Sequence, residues 1–337
     1  CLVVKIMGFH RFSPNFIVHF SITEIRLICN RQNENRMHRL AWRYLLMKNI
    51  LFTGACTALV TPFLNGEVNY PMLEQLLRRQ MEAGIRAVVI CGTTGESPTL
   101  SDSEKLELFR RAKNYVGGRC LVFAGTGSNN TEHAIALSKA AEEVGVDGLL
   151  VVSPYYNKAT PEGLIAHYTS IAAAVHIPII LYNVPSRTGV DIPVSVYKVL
   201  SAVPNIVGVK EASSDISKIS KIRAACPEEF AVWSGNDDQA AAVMSLGGSG
   251  VISVLSNVLP LETQAMAQAA LDGDFDTAAD LQIRLLPLIE LLFSEVNPIP
   301  VKAAMKIIGY DCGECRLPLT TATQATILKL KAILLAN

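Results

Sequence analysis

From residue 54 onward the chain alternates between two hydrophobic textures. Short, nearly continuous apolar and β-branched runs recur at 55–63, 87–92, 121–125, 148–156, 177–182, 206–210, 231–234 and 250–254. Runs without an in–out alternation predict strands covered on both faces, as in a parallel sheet. The stretches between them repeat at helical spacing. Residues 69–84 set Met72, Leu73, Leu76, Leu77 and Met81 on one side and finish on Gly84, suited to a helix stop. Ser101-Asp102-Ser103-Glu104 has the spacing of a capping box. Segments 131–144, 161–174, 193–200, 214–225 and 237–246 complete the helical series.

Eight strands, each followed by a helix, admit a doubly wound open sheet or a closed barrel. A dinucleotide-binding open sheet would carry Gly-x-Gly-x-x-Gly after a strand, and Gly125-Thr126-Gly127-Ser128-Asn129-Asn130 lacks the third glycine. No phosphate-loop Gly-Lys-Ser/Thr occurs. The even spacing and the count of eight predict an α/β fold, a (β/α)8 TIM barrel over residues 47–259. Residues 260–337 read as helix, with breaks near Asp272-Gly273, Asn297-Pro298 and 309–318. That is more helix than one crossover requires, so a closing helix and a C-terminal helical appendage are expected.

Composition narrows the function classes. Half of the 337 residues are hydrophobic and 18% are charged, which supports a large core and excludes wholesale disorder. Thirty basic residues balance thirty acidic ones, removing any global case for nucleic acid or an anionic membrane. The balance is uneven along the chain: residues 1–46 hold seven Lys/Arg against two Asp/Glu, leaving the remainder mildly acidic. This basic leader has only Ser13 and Ser21 as serines, few for a transit peptide, and scattered charges that fit a secretory signal poorly. It is read as upstream-translated sequence or a disordered extension, with Met47 opening the folded part. No run reaches the 18 or so apolar residues of a membrane-spanning helix. Eight cysteines in a chain of this length read as buried thiols of a reducing compartment, and the expected location is the cytoplasm.

Barrels of this kind gather their chemistry where strands end, at the C-terminal mouth. The expected strand ends are polar: Gly92-Thr93-Thr94-Gly95-Glu96-Ser97, Pro154-Tyr155-Tyr156-Asn157, Tyr182-Asn183-Val184-Pro185-Ser186-Arg187-Thr188-Gly189, Lys210-Glu211-Ala212-Ser213 and Ser234-Gly235-Asn236-Asp237. Lys210 closes an apolar run, so the strand holds its stem while its amine reaches the mouth. A low-dielectric pocket disfavours an ammonium and favours the neutral amine that attacks a carbonyl. Taken singly, a solvated lysine is the commoner case. Tyr182 adds a phenol able to move a proton, or else an aromatic plug. Thr93-Thr94-Gly95 offers hydroxyls and backbone N–H groups to a carboxylate, and Arg187 offers a guanidinium to a second one, though surface arginines are the more common.

Metal chemistry is not expected. Past the leader only His133, His167 and His176 remain, away from the strand ends, and Cys312-Gly313-Glu314-Cys315 has no second pair. Activation of a carbonyl by an amine is the chemistry left.

Gly92-Thr93-Thr94-Gly95-Glu96, Tyr182-Asn183-Val184-Pro185 and Val209-Lys210-Glu211-Ala212, in this order, resemble the pyruvate-dependent class I aldolase family over residues 50–337. Pro154-Tyr155-Tyr156-Asn157-Lys158 and Ser186-Arg187-Thr188-Gly189 are similar to its dihydrodipicolinate synthase branch rather than its N-acetylneuraminate lyase branch. The resemblance implies no cofactor: Lys210 forms a Schiff base with pyruvate. It implies that Tyr182 relays protons through Thr93 to Tyr156 of a neighbouring subunit, and that Thr93 and Thr94 hold the pyruvate carboxylate. Arg187 would bind aspartate semialdehyde, with Gly235 and Ile252 lining the pocket, in a homotetramer built as a dimer of dimers. A lysine feedback site is implied at Ser97, Asp102, Lys105, Asn129, His133 and Tyr155. Asp102 and Lys105 replace two usual histidines, and His133 replaces a usual glutamate, so inhibition by lysine is expected to be weak or absent. Two rivals remain: a lyase for sialic or 2-keto-3-deoxy sugar acids, disfavoured by Arg187, and a catalytically silent ligand-binding barrel.

Overall fold

The computed structural model describes residues 50–335, so the expectation for residues 1–46 lies outside the described residues. Strand β1 (Gly54–Ala58) leads into a hairpin of β2 (Phe63–Leu64) and β3 (Glu67–Val68), then helix α1 (Tyr70–Glu82). There follow β4 (Ala87–Ile90), α2 (Asp102–Val116), β5 (Leu121–Gly125), α3 (Thr131–Val144), β6 (Gly148–Val152) and α4 (Pro161–Ala174). Next come β7 (Ile179–Asn183), the single turn α5 (Pro185–Thr188), α6 (Val194–Leu200), β8 (Ile206–Glu211) and α7 (Ile216–Ala225). Strand β9 (Ala231–Ser234), α8 (Ala240–Ser245) and β10 (Gly250–Ser253) finish the ring. Helices α9 (Pro260–Asp272), α10 (Phe275–Leu292), α11 (Ile299–Ile307) and α12 (Gln324–Leu334) follow. The strands close in the order β1-β10-β9-β8-β7-β6-β5-β4, with every neighbouring pair parallel. The fold is the (β/α)8 barrel with C-terminal helices that the hydrophobic pattern predicts.

Local chemistry sets the boundaries. Asn69 caps α1 by accepting from the Met72 N–H, and Ser101 with Glu104 forms both halves of the expected capping box on α2. Three expectations need correction. The run 55–63 is not one strand: pairing stops at Ala58, and Phe63 belongs to a hairpin turned by Asn65-Gly66, both at positive φ. The run 148–156 ends as a strand at Val152, before Pro154, which has no N–H to give a ladder. Segment 237–246 begins as a tight 3-10 turn before α8. No helix among the described residues is long and apolar enough to cross a membrane.

The core has two layers. Outward-facing strand residues such as Val88, Val122, Leu181 and Val209 pack against the helices. Inward-facing ones, including Ala87, Val89, Ile180, Tyr182 and Ile252, fill the barrel. Its floor is aromatic: Phe52 stacks on Trp233 at 4.8 Å and also meets Phe123 at 5.4 Å. Gly208 permits this packing, since a Cβ there would lie 2.2 Å from the Ala231 carbonyl oxygen and 2.8 Å from the Trp233 ring. The side chains of the mouth therefore stand on a rigid apolar plug.

Candidate active site

Strands β7 and β8 pair with Tyr182 opposite Lys210 and Asn183 opposite Glu211. The two-residue period sends the first pair into the barrel and the second out toward the helices. Lys210 is 4% exposed, and its Nζ lies 4.4 Å from the centroid of the Tyr182 ring. Gly235 leaves room beside it, because a Cβ there would come within 3.2 Å of Lys210 Cε and 2.6 Å of Ala212 Cβ. Among the described residues four lysines are buried: Lys105, Lys210, Lys218 and Lys302. Three of them meet a carboxylate, Lys105 at Asp102 (3.4 Å), Lys218 at Asp191 and Glu211, and Lys302 at Glu96 (2.6 Å). Among the described residues Lys210 alone of the four makes no hydrogen bond or ion pair, only the contact with the phenol face. Buried charges are almost always paired, so this exception is the most informative feature of the site.

The turn after β4 carries two threonine hydroxyls, Thr93 and Thr94. Backbone bonds from Gly95 to the Gly92 carbonyl and from Glu96 to the Thr93 carbonyl close it, with Glu96 held left-handed at φ 56°. The C-terminal segment then clamps it from behind. Asn297 Nδ2 donates to Thr94 Oγ1 (3.0 Å), Lys302 pairs with the Glu96 carboxylate, and the Arg316 N–H donates to Glu96 Oε2 (2.9 Å). The Arg316 guanidinium also grips Glu104, pushing that carboxyl down to about 2. Thr94 is buried, whereas Thr93 is half-buried and faces a cavity.

That cavity, of about 640 Å³, is lined by Thr93, Tyr182 and Arg187. A second cluster, Ser97, Asp102, Lys105, His133 and Tyr155, lines the same cavity. Arg187 is exposed on α5, which is braced by bonds from the Thr188 hydroxyl to the Val184 and Val190 carbonyls. Lys210 stands against the Tyr182 ring rather than in the wall itself, and Thr94, Gly235 and Ile252 are likewise outside it. Ile252 belongs to the barrel interior with Tyr182. Asn129 joins the second cluster by donating to the Tyr155 carbonyl (3.3 Å). Tyr156 is 90% exposed and held at φ 72°.

In the second cluster Asp102 is fully engaged, with Oδ2 facing His133 Nε2 (2.8 Å) and Oδ1 facing Lys105 Nζ (3.4 Å). Burial raises this carboxyl, but the bonds and charges of His133 and Lys105 outweigh it and hold the group below the usual range. Cys312 and Cys315 are free thiols, each pushed up to about 12 chiefly by burial. Among the described residues no group of three His, Cys, Asp or Glu side chains is placed to hold a metal ion.

Sequence reasoning overlooked the partners behind the site: Asn297, Lys302 and Arg316 behind the threonine turn, and Asn183 with Glu211 behind Tyr182 and Lys210. One signal was present. Consecutive charges at a strand end must face opposite sides, so an inward Lys210 obliges Glu211 to point outward and find donors. The assembled groups suit one kind of chemistry, the addition of an amine to the carbonyl of a small carboxylate-bearing molecule, with a phenol in reach of the changing protons.

Known proteins resemble this chain in sequence and fold. The sequence model of the Dihydrodipicolinate synthetase family matches residues 51–337. A 4-hydroxy-tetrahydrodipicolinate synthase of Caldicellulosiruptor bescii is 50% identical over 275 residues, covering 81% of this chain and 93% of the relative. The crystal structure of dihydrodipicolinate synthase from Aquifex aeolicus superposes with a TM-score of 0.83 at 45% identity, covering 85% of this chain and 98% of that one. A chloride-inhibited dihydrodipicolinate synthase from Acinetobacter baumannii, complexed with pyruvate, gives a TM-score of 0.83 at 40% identity over 84% of this chain and 98% of its own.

Proposed function

The chain belongs to the dihydrodipicolinate synthetase family, and from this footing we propose that it is a lyase condensing pyruvate with L-aspartate 4-semialdehyde. The product is 4-hydroxy-tetrahydrodipicolinate, and the reaction is the committed step of diaminopimelate and lysine biosynthesis. The observation that carries the reading is Lys210, a buried amine against a phenol and without a carboxylate partner.

In the proposed mechanism Lys210 Nζ adds to the pyruvate keto carbon, and loss of water gives an iminium, with no cofactor needed. Thr93 and Thr94 bind the pyruvate carboxylate, their turn fixed by Asn297 and Glu96. Tyr182 gives its phenol proton to the departing hydroxyl, and the phenolate so formed takes a methyl proton from the electron-withdrawing iminium to give the enamine. The enamine carbon attacks the aldehyde of the second substrate, whose carboxylate pairs with Arg187. The amino group of that substrate then closes onto the former keto carbon and displaces Lys210. Gly235 and Ile252 shape the space around the adduct.

Tyr156 supports an assembly reading. A large aromatic side chain held 90% exposed on a left-handed backbone, beside the cavity, suits a group that completes the site of a second copy. A homotetramer of two tight dimers, working in the cytoplasm on small-molecule substrates, accords with this. The second cluster is read as a feedback pocket that has lost its ligand charge: both Asp102 oxygens are occupied, and Lys105 would repel a ligand ammonium.

The test is a coupled assay on the purified chain. Product that requires both pyruvate and aspartate semialdehyde, and that disappears in Lys210→Ala, is the expected result. Cleavage of a sialic or 2-keto-3-deoxy sugar acid, with no condensation of the semialdehyde, would overturn it.

A further inference from the structure

We propose that Glu211 is a positioning residue for the reaction at Lys210, acting through a buried polar cluster on the outer face of β7 and β8. This inference rests on the reading of Lys210 as the nucleophile. Glu211 is 3% exposed, and every group facing its carboxylate is a donor. Oε1 accepts from Asn183 Nδ2 (2.8 Å) and the Ser213 N–H (2.9 Å). Oε2 accepts from the Tyr197 hydroxyl (3.0 Å) and has Lys218 Nζ at 3.7 Å. A carboxylate accepting at both oxygens is well matched to such a set.

Asn183 extends the cluster. Its amide also donates to Asp191 Oδ1 (2.8 Å) and accepts from the Ile192 N–H (3.0 Å), while Asp191 pairs with Lys218. Five parts of the chain therefore meet on one carboxylate and one amide: β7, β8, α6 through Tyr197, α7 through Lys218, and the stretch just past Arg187. Glu211 and Asn183 are the residues directly after Lys210 and Tyr182 and directly opposite each other. Whatever fixes the outward pair fixes the twist of the two strand ends that aim the inward pair.

The leverage is large because the reacting atoms are far from their backbone. A twist of roughly 10° at a strand end swings a long side-chain tip by about 1 Å, enough to spoil a preorganised constellation. A buried ionic cluster adds little net stability over apolar residues of the same volume, so its main contribution is here assigned to geometry.

The two ends of the cluster separate a positioning role from a structural one. Glu211→Gln keeps shape but turns one acceptor oxygen into a donor. In the full chain it should slow borohydride trapping of pyruvate at Lys210, and kcat with it, by about 10- to 100-fold while a cooperative unfolding transition remains. Asp191→Asn perturbs the stretch past Arg187 while leaving all four groups that face the Glu211 carboxylate in place, and should raise KM for aspartate semialdehyde by about fivefold with little change in the pyruvate trapping rate. Tyr197→Phe removes a single donor and should slow trapping by about threefold, which decides the matter if Glu211→Gln does not fold. Variants that melt earlier yet trap pyruvate at the parent rate would overturn the proposal. A parent chain that traps no pyruvate would instead overturn the reading of Lys210 on which it stands.

Discussion

Lys302 and Lys210 are both 4% exposed, and each holds its Nζ over an aromatic ring, at 4.3 Å from Phe63 and 4.4 Å from Tyr182. There the likeness ends. Lys302 has the Glu96 carboxylate at 2.6 Å and donates to the Glu314 carbonyl at 3.2 Å, whereas Lys210 has neither kind of partner. One is a closed electrostatic unit, and its effect is to pin the Thr93–Thr94 turn to the C-terminal segment. The other has its bonding capacity left open, at the rim of a barrel floored by stacked aromatics. Burial does not tell these two lysines apart; the presence of a carboxylate partner does.

The same substitution at the two sites should widen the contrast most. Lys210→Met should lower turnover by at least about 10⁴-fold. Its unfolding free energy should stay within about 1 kcal/mol of the parent, since no buried partner is orphaned. Lys302→Met strands Glu96 and should cost about 3–5 kcal/mol in denaturant unfolding, while the folded fraction still forms the pyruvate adduct. Equal stability losses at the two positions would erase the distinction drawn here.

A third way of burying a titratable group sharpens the comparison. His167 is 4% exposed, with Nδ1 at 2.9 Å from the Thr131 hydroxyl and Nε2 unpartnered, and burial pushes it down to about 4. Between the ordinary value near 6.5 and about 4, the unfolded chain takes up a proton that the folded chain refuses. Stability should therefore be intact above that window and fall as pH drops through it, by up to about 3 kcal/mol. His167→Asn, which can keep the bond to Thr131 without titrating, should flatten this part of the unfolding profile; an unchanged slope would assign the loss elsewhere.

The smallest expected effect concerns the second cluster. Because His133 and Lys105 already occupy Asp102, millimolar lysine should change the condensation rate by less than about twofold. Strong inhibition would mean that a ligand ammonium displaces one of those partners.

The barrel was legible because its signals are local and periodic. Uninterrupted apolar runs mark the strands, and the Ser101 capping box marks a helix start to the residue. The hairpin was missed although Asn65-Gly66 is its ordinary turn signal, because the flanking strands are only two residues long. In the candidate site, Lys210, Tyr182, Thr93 and Arg187 stand out in sequence because they close or follow the apolar runs that predict strands. Their supports do not. Asn297 reaches Thr94 from 203 residues away, and the Glu96–Lys302 pair joins the first third of the chain to its tail. Such pairings follow from closure of the fold, which no local pattern encodes.

The most direct test of the central claim is mass mapping after borohydride reduction in the presence of pyruvate. One reduced pyruvate adduct is expected, on the peptide containing Lys210, with Lys105, Lys218 and Lys302 unmodified in their carboxylate pairs. A folded chain that gains no mass at Lys210, or gains it at one of the paired lysines instead, would contradict it.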